Sequence, residues 1–189
     1  MTDRIDVDHQ DREWVRSRHE RYPDLVPRDE TPFWDNNNIF CSRDGIARRQ
    51  EEYRVLLEEK IPENSEAIGK AASYGDLSEN FEWTAAIEQQ RQLTEKAAAM
   101  EAELKLARAI EDQELDGETV APGKRVVYEQ DGEQKEITIL GPWDHGPGIV
   151  SYRAPIAAGM LGSKEGSEAT LELPEGRVEV TIRKVETAV

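Results

Sequence analysis

The sequence predicts an α+β protein, in which a long antiparallel α-helical coiled-coil hairpin precedes a small antiparallel β-sheet domain with one short helix. Three observations predict this fold class. Apolar residues recur every seven positions over residues 83–107. Gly75 separates this segment from an earlier helical one. Beyond residue 117, apolar and polar residues alternate in short runs, which is the period of a β-strand.

We therefore expect three regions in the 189 residues, a length that suits one or two domains. Residues 1–41 form an N-terminal extension. Residues 42–116 form the hairpin, with an acidic tip at residues 75–82. Residues 117–189 form the C-terminal domain, and the segment 112–122 is the expected linker to it.

The composition argues against several classes of function. A net charge of −16 disfavours a protein that holds nucleic acid through clustered Lys and Arg. The single cysteine, Cys41, excludes an intrachain disulfide and fits a reducing compartment. The sequence shows neither an apolar run of roughly 20 residues that could span a membrane nor a signal peptide at its start. We expect a soluble, cytoplasmic protein.

The extension is polar and irregular, with three prolines between residues 23 and 32 and a short helix over residues 11–22. Three interpretations stay open: a flexible or surface-packed extension, a partner-docking segment that uses exposed aromatic residues, or the remnant of a larger preceding domain. The aromatic residues concerned are Trp14, Phe33 and Trp34.

The first arm is predicted to start at Ser42 or Asp44 as the helix N-cap. Pro62 lies inside this arm, and because a proline removes one helical hydrogen bond, we expect a kink or two shorter helices. The apolar stripe expected to face the second arm comprises Ile46, Tyr53, Leu57, Ala67 or Ile68, and Ala71.

The second arm lacks Gly and Pro and is rich in strong helix formers. Its seven-residue repeat indicates a coiled-coil seam, and helices joined by a few residues fold back as an antiparallel hairpin. Arms of about 30 residues would make a rod on the order of 45 Å long. The predicted seam comprises Trp83, Ala86, Gln90, Leu93, Ala97, Met100, Leu104 and Ala107.

The C-terminal domain is predicted to contain two β-hairpins. "KRVVYE" and "EQKEITIL" form the first, with Asp131-Gly132 in its turn. "GIVSYRAP" predicts another strand, and "PIAAGMLG" a short helix with Pro155 at its first position. "EATLEL" and "RVEVTIRKVE" form the second hairpin around "PEG".

The tip sequence "GDLSEN" places Asp76 and Glu79 three residues apart at a helix start, so both project from one face. One interpretation is structural, with Asp76 as N-cap and Glu79 as its capping-box partner. A second follows from residues 71–90, which contain four acids and no Lys, Arg or His. Mg²⁺ takes one or two carboxylates together with waters and phosphate oxygens. Two solvated carboxylates would therefore complete a Mg²⁺ site whose other ligands belong to another molecule.

The same residues carry a resemblance to a known family. "GDLSENFEWTAAIEQQ" resembles the tip motif G-D-L-x-E-N-x-E-Y-x-A-A-x-E-x-Q of the bacterial transcript-cleavage factors GreA and GreB, with Trp83 in place of the usual Tyr. Residues 150–186 resemble the FKBP-like C-terminal domain of that family. Pro62 stands where its members commonly carry a proline. The resemblance covers about residues 42–187 and rests on two separate motifs in the right order.

The resemblance implies a transcription elongation factor that is not an enzyme alone. Gre factors bind backtracked RNA polymerase and insert the coiled coil into its secondary channel. There they stimulate Mg²⁺-dependent endonucleolytic cleavage of the RNA 3′ segment by the polymerase. The FKBP-like domain contacts a coiled coil of the largest polymerase subunit. We accordingly expect a bacterial cytoplasmic monomer that contacts RNA indirectly and reaches the nucleoid through the polymerase.

The resemblance also implies roles for individual residues. Asp76 and Glu79 match the acids that assist catalysis and hold the second Mg²⁺ jointly with the polymerase. Asn80 and Glu82 match neighbouring positions that support the tip. The segment expected to contact the polymerase contains Pro155 and Ile156.

Departures from the family pattern keep alternatives open. The extension is additional, and no base occurs in residues 71–90, where some Gre factors carry basic residues near the tip. The runner-up hypothesis is a Gre-fold regulator that occupies the channel and inhibits the polymerase. A prolyl isomerase is disfavoured because residues 117–189 contain three aromatic residues, too few for an aromatic-lined pocket. A coiled-coil adaptor would leave the tip motif unexplained.

Overall fold

The computed structural model describes residues 31–73, 80–174 and 176–189. It confirms the predicted α+β fold, a helical hairpin followed by a sheet domain. Residues Phe33–Val189 form a compact unit, so the hairpin and the sheet domain belong to one folded body.

The last nine residues of the range expected to be an irregular extension belong to this body. Strand β1 (Ile39–Cys41) pairs in parallel with strand β2 (Ala107–Ala109). Phe33 and Trp34 are half-buried against the core, and the ring centroids of Phe33 and Phe40 lie 5.0 Å apart. The interpretation of Phe33 and Trp34 as exposed anchors is therefore wrong, because they pack on their own chain. Trp14 lies outside the described residues.

The first arm runs without a break through Pro62. Helix α1 (Arg43–Val55) begins at the N-cap Ser42, as predicted, and passes through a π-helical turn (Leu56–Lys60) into helix α2 (Ile61–Ala72). The expected separation into shorter helices is wrong, because the wide π turn accommodates the proline. It relieves the clash between a proline ring and the carbonyl four residues earlier.

The extra residue of the π turn shifts the stripe that faces the second arm. Leu56 is buried, whereas the predicted Leu57 is 41% exposed. Beyond the turn, Ile68 is half-buried and Ala67 is exposed, which decides between these two candidates. The residues that face the second arm or the hairpin base are Ile46, Arg49, Tyr53, Leu56, Ile61, Asn64, Ile68 and Ala71.

The second arm is helix α3 (Phe81–Leu106), whose 26 residues extend about 39 Å. The predicted seam is confirmed from Trp83 to Leu104 by its buried and half-buried side chains, while Ala107 starts β2. Leu56 packs on Ala97 and Met100, and Asn64 contacts Ala86. Since a later residue of the first arm meets an earlier one of the second, the arms are antiparallel.

The C-terminal end of the expected linker, residues 112–122, packs onto the sheet domain. Val120 is fully buried, and its N–H donates to the carbonyl of Ser163 at 2.8 Å. The buried Lys124 ammonium donates to the carbonyl of Asp116 and to Thr187 Oγ1. These contacts attach the segment to the sheet, so it is not a free linker.

The sheet domain has five strands in the spatial order β5-β4-β3-β7-β6, and both predicted hairpins are confirmed. In the first hairpin turn, Asp131 and Gly132 have φ of 54° and 82°, which a type I′ turn requires. One feature differs from the expected antiparallel sheet, since β4 and β5 pair in parallel. The strands are β3 (Lys124–Gln130), β4 (Glu133–Leu140), β5 (Ile149–Ser151), β6 (Glu168–Leu173) and β7 (Gly176–Thr187).

The predicted short helix, α4 (Pro155–Ala158), covers the sheet with Pro155 in its first turn. Its Ala157 and the following Met160 are fully buried in the main core. Val126 and Ile182 of the central strands belong to the same core. The sheet and α4 thus enclose the apolar interior, and the hairpin projects from it.

Candidate functional site

The tip joins α2 to α3. Asp76 and Glu79 fall within residues 74–79, which lie outside the described residues. Asn80 and Glu82 are described, on either side of the first residue of α3. No group of three or more His, Cys, Asp or Glu side chains within the described ranges is arranged to hold a metal ion. The Mg²⁺ site therefore stays a prediction that concerns Asp76 and Glu79.

Asn80 connects the two arms at the tip. Its Oδ1 accepts a hydrogen bond from the backbone N–H of Trp83 at 3.0 Å, and its Nδ2 donates to the carbonyl of Ala71 at 2.8 Å. The first bond caps α3, and the second satisfies a carbonyl in the last turn of α2. Asn80 thus links the start of α3 to the end of α2, and its role in supporting a functional tip stays a prediction.

The N-cap and capping-box roles predicted for Asp76 and Glu79 fall on residues outside the described ranges. The described start of α3 has a different cap. The N-cap of α3 is Asn80, and the third helical residue is Trp83, which has no carboxylate for a capping box. Glu82 lies in the first turn, exposed and without an ion pair to any described residue. A carboxylate there interacts favourably with the helix dipole, and it adds negative charge beside Asp76 and Glu79.

One of the four acids near the tip, Glu88, forms an ion pair. Arg91, one residue beyond the base-free range, lies between Glu88 at 2.6 Å and Glu95 at 2.5 Å. Hydrogen bonds from Arg91 and from Gln92 lower the pKa of Glu88. Of the other three acids, Glu82 has no ion pair with another described residue, and Asp76 and Glu79 lie outside the described residues.

Asn64 is a buried polar residue in the seam below the tip. Its Nδ2 donates to the carbonyl of Ala86 at 2.9 Å and to Gln90 Oε1 at 2.8 Å. A buried amide with specific partners favours one register of a coiled coil over its neighbours. Sequence reasoning missed Asn64 because a search for an apolar stripe passes over a polar residue, although position 64 lies seven residues from both Leu57 and Ala71.

Asp144 joins the hairpin to the sheet domain. Its buried carboxylate accepts hydrogen bonds from the N–H groups of Ser42 and Gly141, both at 2.9 Å, and from the Ser42 hydroxyl. Arg48 adds an ion pair at 3.5 Å. Gly45 approaches so closely that a Cβ there would overlap Asp144 Oδ1. The sequence carried no signal of this contact, which spans about a hundred residues of chain.

Each of the three aromatic residues of the sheet domain is either buried in the core or in contact with another side chain. Tyr128 and Tyr152 are buried in the core, and the Arg49 guanidinium lies 5.6 Å from the ring centroid of Trp143. Arg49 also pairs with Glu103 at 2.6 Å. Since none of these rings is free to line a peptide pocket, the prolyl isomerase hypothesis gains no support.

The second candidate surface is the start of α4. Pro155 is exposed, whereas Ile156 is half-buried against the main core. Beside them, exposed Arg153 donates to the Tyr152 hydroxyl at 3.2 Å and to the carbonyl of Asn38 at 3.4 Å. Of the two residues predicted to contact a partner, Pro155 offers the freer surface.

Cys41 is fully buried. Burial raises the pKa of its thiol to about 12, so the thiol is protonated near neutral pH and unsuited to nucleophilic chemistry. No helix within residues 31–73, 80–174 and 176–189 has the length and apolar character needed to cross a bilayer.

Two family models match the chain. The model described as "Transcription elongation factor, GreA/GreB, C-term" matches residues 115–187. The GreA/GreB model described as "Transcription elongation factor, N-terminal" matches residues 39–109. The first range covers the sheet domain and the second covers β1, the hairpin and β2, so each part of the fold has its own match.

Curated relatives named transcription elongation factor GreA match as well. That of Listeria monocytogenes is 36% identical over 146 residues, which are 75% of this chain and 91% of the relative. That of Treponema pallidum is 34% identical over 131 residues, 67% of this chain and 81% of the relative. That of Borreliella burgdorferi is 36% identical over 145 residues, 75% of this chain but 16% of the much longer relative.

Solved structures give weaker likenesses. GreA factor homolog 1 of Thermus thermophilus is 19% identical, with 79% of this chain and 99% of that chain covered and a TM-score of 0.36. A GreA/GreB factor of Nitrosomonas europaea is 19% identical, with 79% and 99% covered and a TM-score of 0.34. These values are too low to bear on function.

Proposed function

Because the chain belongs to the GreA/GreB family of transcription elongation factors, we propose that it binds RNA polymerase and inserts its acidic tip into the secondary channel. There it stimulates the Mg²⁺-dependent cleavage of backtracked RNA by the polymerase. The chain itself is then a cofactor and not an enzyme. We further propose that it acts as a cytoplasmic monomer.

The observation that carries this proposal is the pair of hydrogen bonds made by Asn80. Because Asn80 caps α3 and satisfies the carbonyl of Ala71, the start of α3 needs neither Asp76 nor Glu79 as its cap. The metal-binding role proposed for Asp76 and Glu79 therefore does not compete with the capping of α3. Asn80, with both ends of its amide engaged, supports the tip and is unsuited to serve as a ligand.

The chemistry of the donors fits Mg²⁺. Asp76 and Glu79 would hold the ion jointly with the polymerase, since Mg²⁺ binds through one or two carboxylates plus waters and phosphate oxygens. When bound, the second ion of a two-metal site generates the attacking hydroxide and stabilises the developing charge. Asp76 or Glu79 can also orient the attacking water or accept its proton. Glu82 adds negative charge near the same point and favours a cation.

The hairpin and the sheet domain have separate roles in this proposal. Helix α3 extends about 39 Å, so acids at its start are held far from the sheet domain. The junction through Asp144 connects the two parts. We propose that exposed Pro155, with Ile156 beside it, contacts the coiled coil of the largest polymerase subunit at the outer rim of the channel. The tip would then act on the RNA 3′ end without itself binding RNA tightly.

A cleavage assay on backtracked polymerase complexes tests the proposal. We expect Asp76→Asn with Glu79→Gln to abolish stimulated cleavage and to leave binding to the polymerase nearly intact. The matched control is Glu63→Gln with Glu66→Gln, which removes two exposed acids with the same spacing from α2. Equal cleavage by the tip variant and the wild type would refute the mechanism.

The runner-up, a channel-occupying inhibitor, rests on the lack of Lys, Arg and His in residues 71–90. It predicts that the wild-type chain slows elongation and leaves backtracked RNA uncut. The same assay separates the two candidates, because the inhibitor would be indifferent to the tip substitutions.

A further inference from the structure

Phe81 is the first helical residue of α3 and is 88% exposed. Its exposure is unusual even against the other exposed large apolar residues of the described chain, which are 40–42% exposed. Those residues, Leu57, Ile87, Leu106 and Val189, each keep more than half of their surface covered. A phenylalanine that is almost fully solvated buries little apolar surface on folding, and its ring is accessible to a partner.

The backbone beneath Phe81 is held firmly. Asn80 directly before it bonds both to the N–H of Trp83 and to the carbonyl of Ala71. Phe81 follows Glu79 by two residues, and two residues of extended chain span at most about 7 Å. The aromatic ring is therefore attached close to the residues proposed to hold Mg²⁺.

The charge near the tip restricts the partner. Residues 71–90 carry acids and no Lys, Arg or His, so contact with RNA phosphates is unfavourable. The face of a nucleobase is uncharged, and unpaired bases of single-stranded RNA stack on aromatic side chains largely independently of sequence. An aromatic ring in a stretch of sequence that carries acids and no base thus fits a nucleobase far better than a phosphate.

We propose that Phe81 stacks on an unpaired base of the backtracked RNA 3′ segment and so positions the adjacent phosphodiester beside the tip acids. The inference rests on the proposed function and adds a direct contact with RNA to it. It assigns Phe81 a positioning role, since the ring takes no part in the chemical step. Loss of one stacking contact should raise the half-saturating concentration of the factor at least about fivefold.

The first experiment compares stimulated cleavage on two RNAs, one natural and one with abasic residues in the backtracked segment. On natural RNA, Phe81→Ala should stimulate cleavage less than the wild type does, whereas Phe81→Trp should stimulate it as well as the wild type. On abasic RNA, Phe81→Ala and the wild type should stimulate cleavage equally. Leu57→Ala, on the opposite arm, is the control for loss of an exposed apolar side chain. Equal losses on both RNAs would show that Phe81 contacts the polymerase, and no loss would show no contact; either result overturns the inference.

The second experiment separates this inference from the proposed function. Fluorescence of 2-aminopurine in the backtracked segment is measured with the cleavage-inactive Asp76→Asn, Glu79→Gln variant, so that the RNA stays intact. Quenching that is lost on adding Phe81→Ala supports stacking even if the wild type fails to stimulate cleavage. Quenching that is unchanged by Phe81→Ala, or absent throughout, overturns stacking even if cleavage is stimulated.

Discussion

The carboxylate of Asp144 accepts a hydrogen bond from the backbone N–H of Ser42 at 2.9 Å, which joins the sheet domain to the N-cap of α1. The same carboxylate accepts from Gly141 N–H at 2.9 Å. Ser42 in turn caps α1 by accepting from Gly45 N–H at 3.0 Å. One buried acid thus controls both the start of the hairpin and its attachment.

Asp144→Asn should lower the free energy of unfolding by about 1–3 kcal/mol, because an amide NH₂ would face groups that donate to the carboxylate. Urea denaturation followed by circular dichroism measures the change. Asp35→Asn, at an exposed aspartate, should stay within about 0.5 kcal/mol of the wild type. Equal effects at the two positions would contradict the structural role of Asp144.

Two glycine-to-alanine substitutions in the same arm should act in opposite directions. At Gly45 a Cβ would overlap Asp144 Oδ1, whereas at Gly69 nothing lies within 4 Å. Gly69→Ala should stabilise the chain by about 0.5–1 kcal/mol through helix propensity. Gly45→Ala should destabilise it by about 1–3 kcal/mol, because overpacking outweighs the same helix gain. Thermal or urea unfolding of both variants measures the sign of each change in stability. A stabilising effect of Gly45→Ala would show that Asp144 can move to make room for the added Cβ.

The sequence predicted those parts of the fold in which local pattern and tertiary packing agree. The seam of α3 is confirmed because its repeat is uninterrupted, and the Asp131-Gly132 turn because few residue pairs accept positive φ. In the first arm the stripe was mispredicted at Leu57, because a π turn adds a residue that periodicity does not reveal, whereas Ile68 and Ala71 face the second arm as predicted. Asp144 was missed because its partner Ser42 is remote in sequence.

At the tip, too, some features could be predicted from the sequence and others could not. An acidic cluster at a helix start was visible in the sequence, and so was the resemblance that gives it a function. Which side chain caps α3 was not visible, because Asp76 and Asn80 are both good N-cap residues and sit four positions apart. Asn80 makes a second bond, to Ala71 in the other arm, which the sequence does not reveal.

The variants Asn80→Ala and Asn80→Asp should distinguish the contributions of the two hydrogen bonds that Asn80 makes. The alanine variant loses both, and we expect it to cost about 1–2 kcal/mol and to speed hydrogen exchange at the Trp83 amide. The aspartate variant still accepts from that amide but loses the donor to Ala71, so exchange at Trp83 should stay slow. Similar exchange in the two variants would show that the cap does not control the start of α3.

Cys41 is the chain's single cysteine, so the titration of its thiol reports on how tightly the protein packs around it. Burial raises its thiol pKa from 9.0 to about 12. The folded state therefore keeps a proton that the unfolded state loses, and its stabilising effect is complete below pH 9 and declines as the pH rises toward 12. Unfolding midpoints measured from pH 8 to pH 10.5 should fall more steeply for the wild type than for Cys41→Ala. Parallel profiles would place the thiol in contact with water.

Thiol labelling gives an independent check on the same residue. At pH 8 a disulfide reagent should react slowly with the native chain and rapidly in denaturant, because the thiol is both protonated and covered. Rapid labelling of the native chain would contradict the burial of β1.

Truncations on either side of Phe33 should differ sharply. Removal of residues 1–32 leaves the compact unit Phe33–Val189 whole, so its unfolding midpoint should remain close to that of the full chain. Removal of residues 1–41 also deletes β1, the Phe33–Phe40 ring contact and the backbone that packs on Gly141. Loss of the buried Phe40 side chain alone should cost about 3–5 kcal/mol. Circular dichroism melts of both truncations test this, and equal midpoints would mean that β1 contributes little. A cleavage assay on the shorter truncation then reports the role of the extension in a chain whose fold is intact, which removal of all 41 residues would confound.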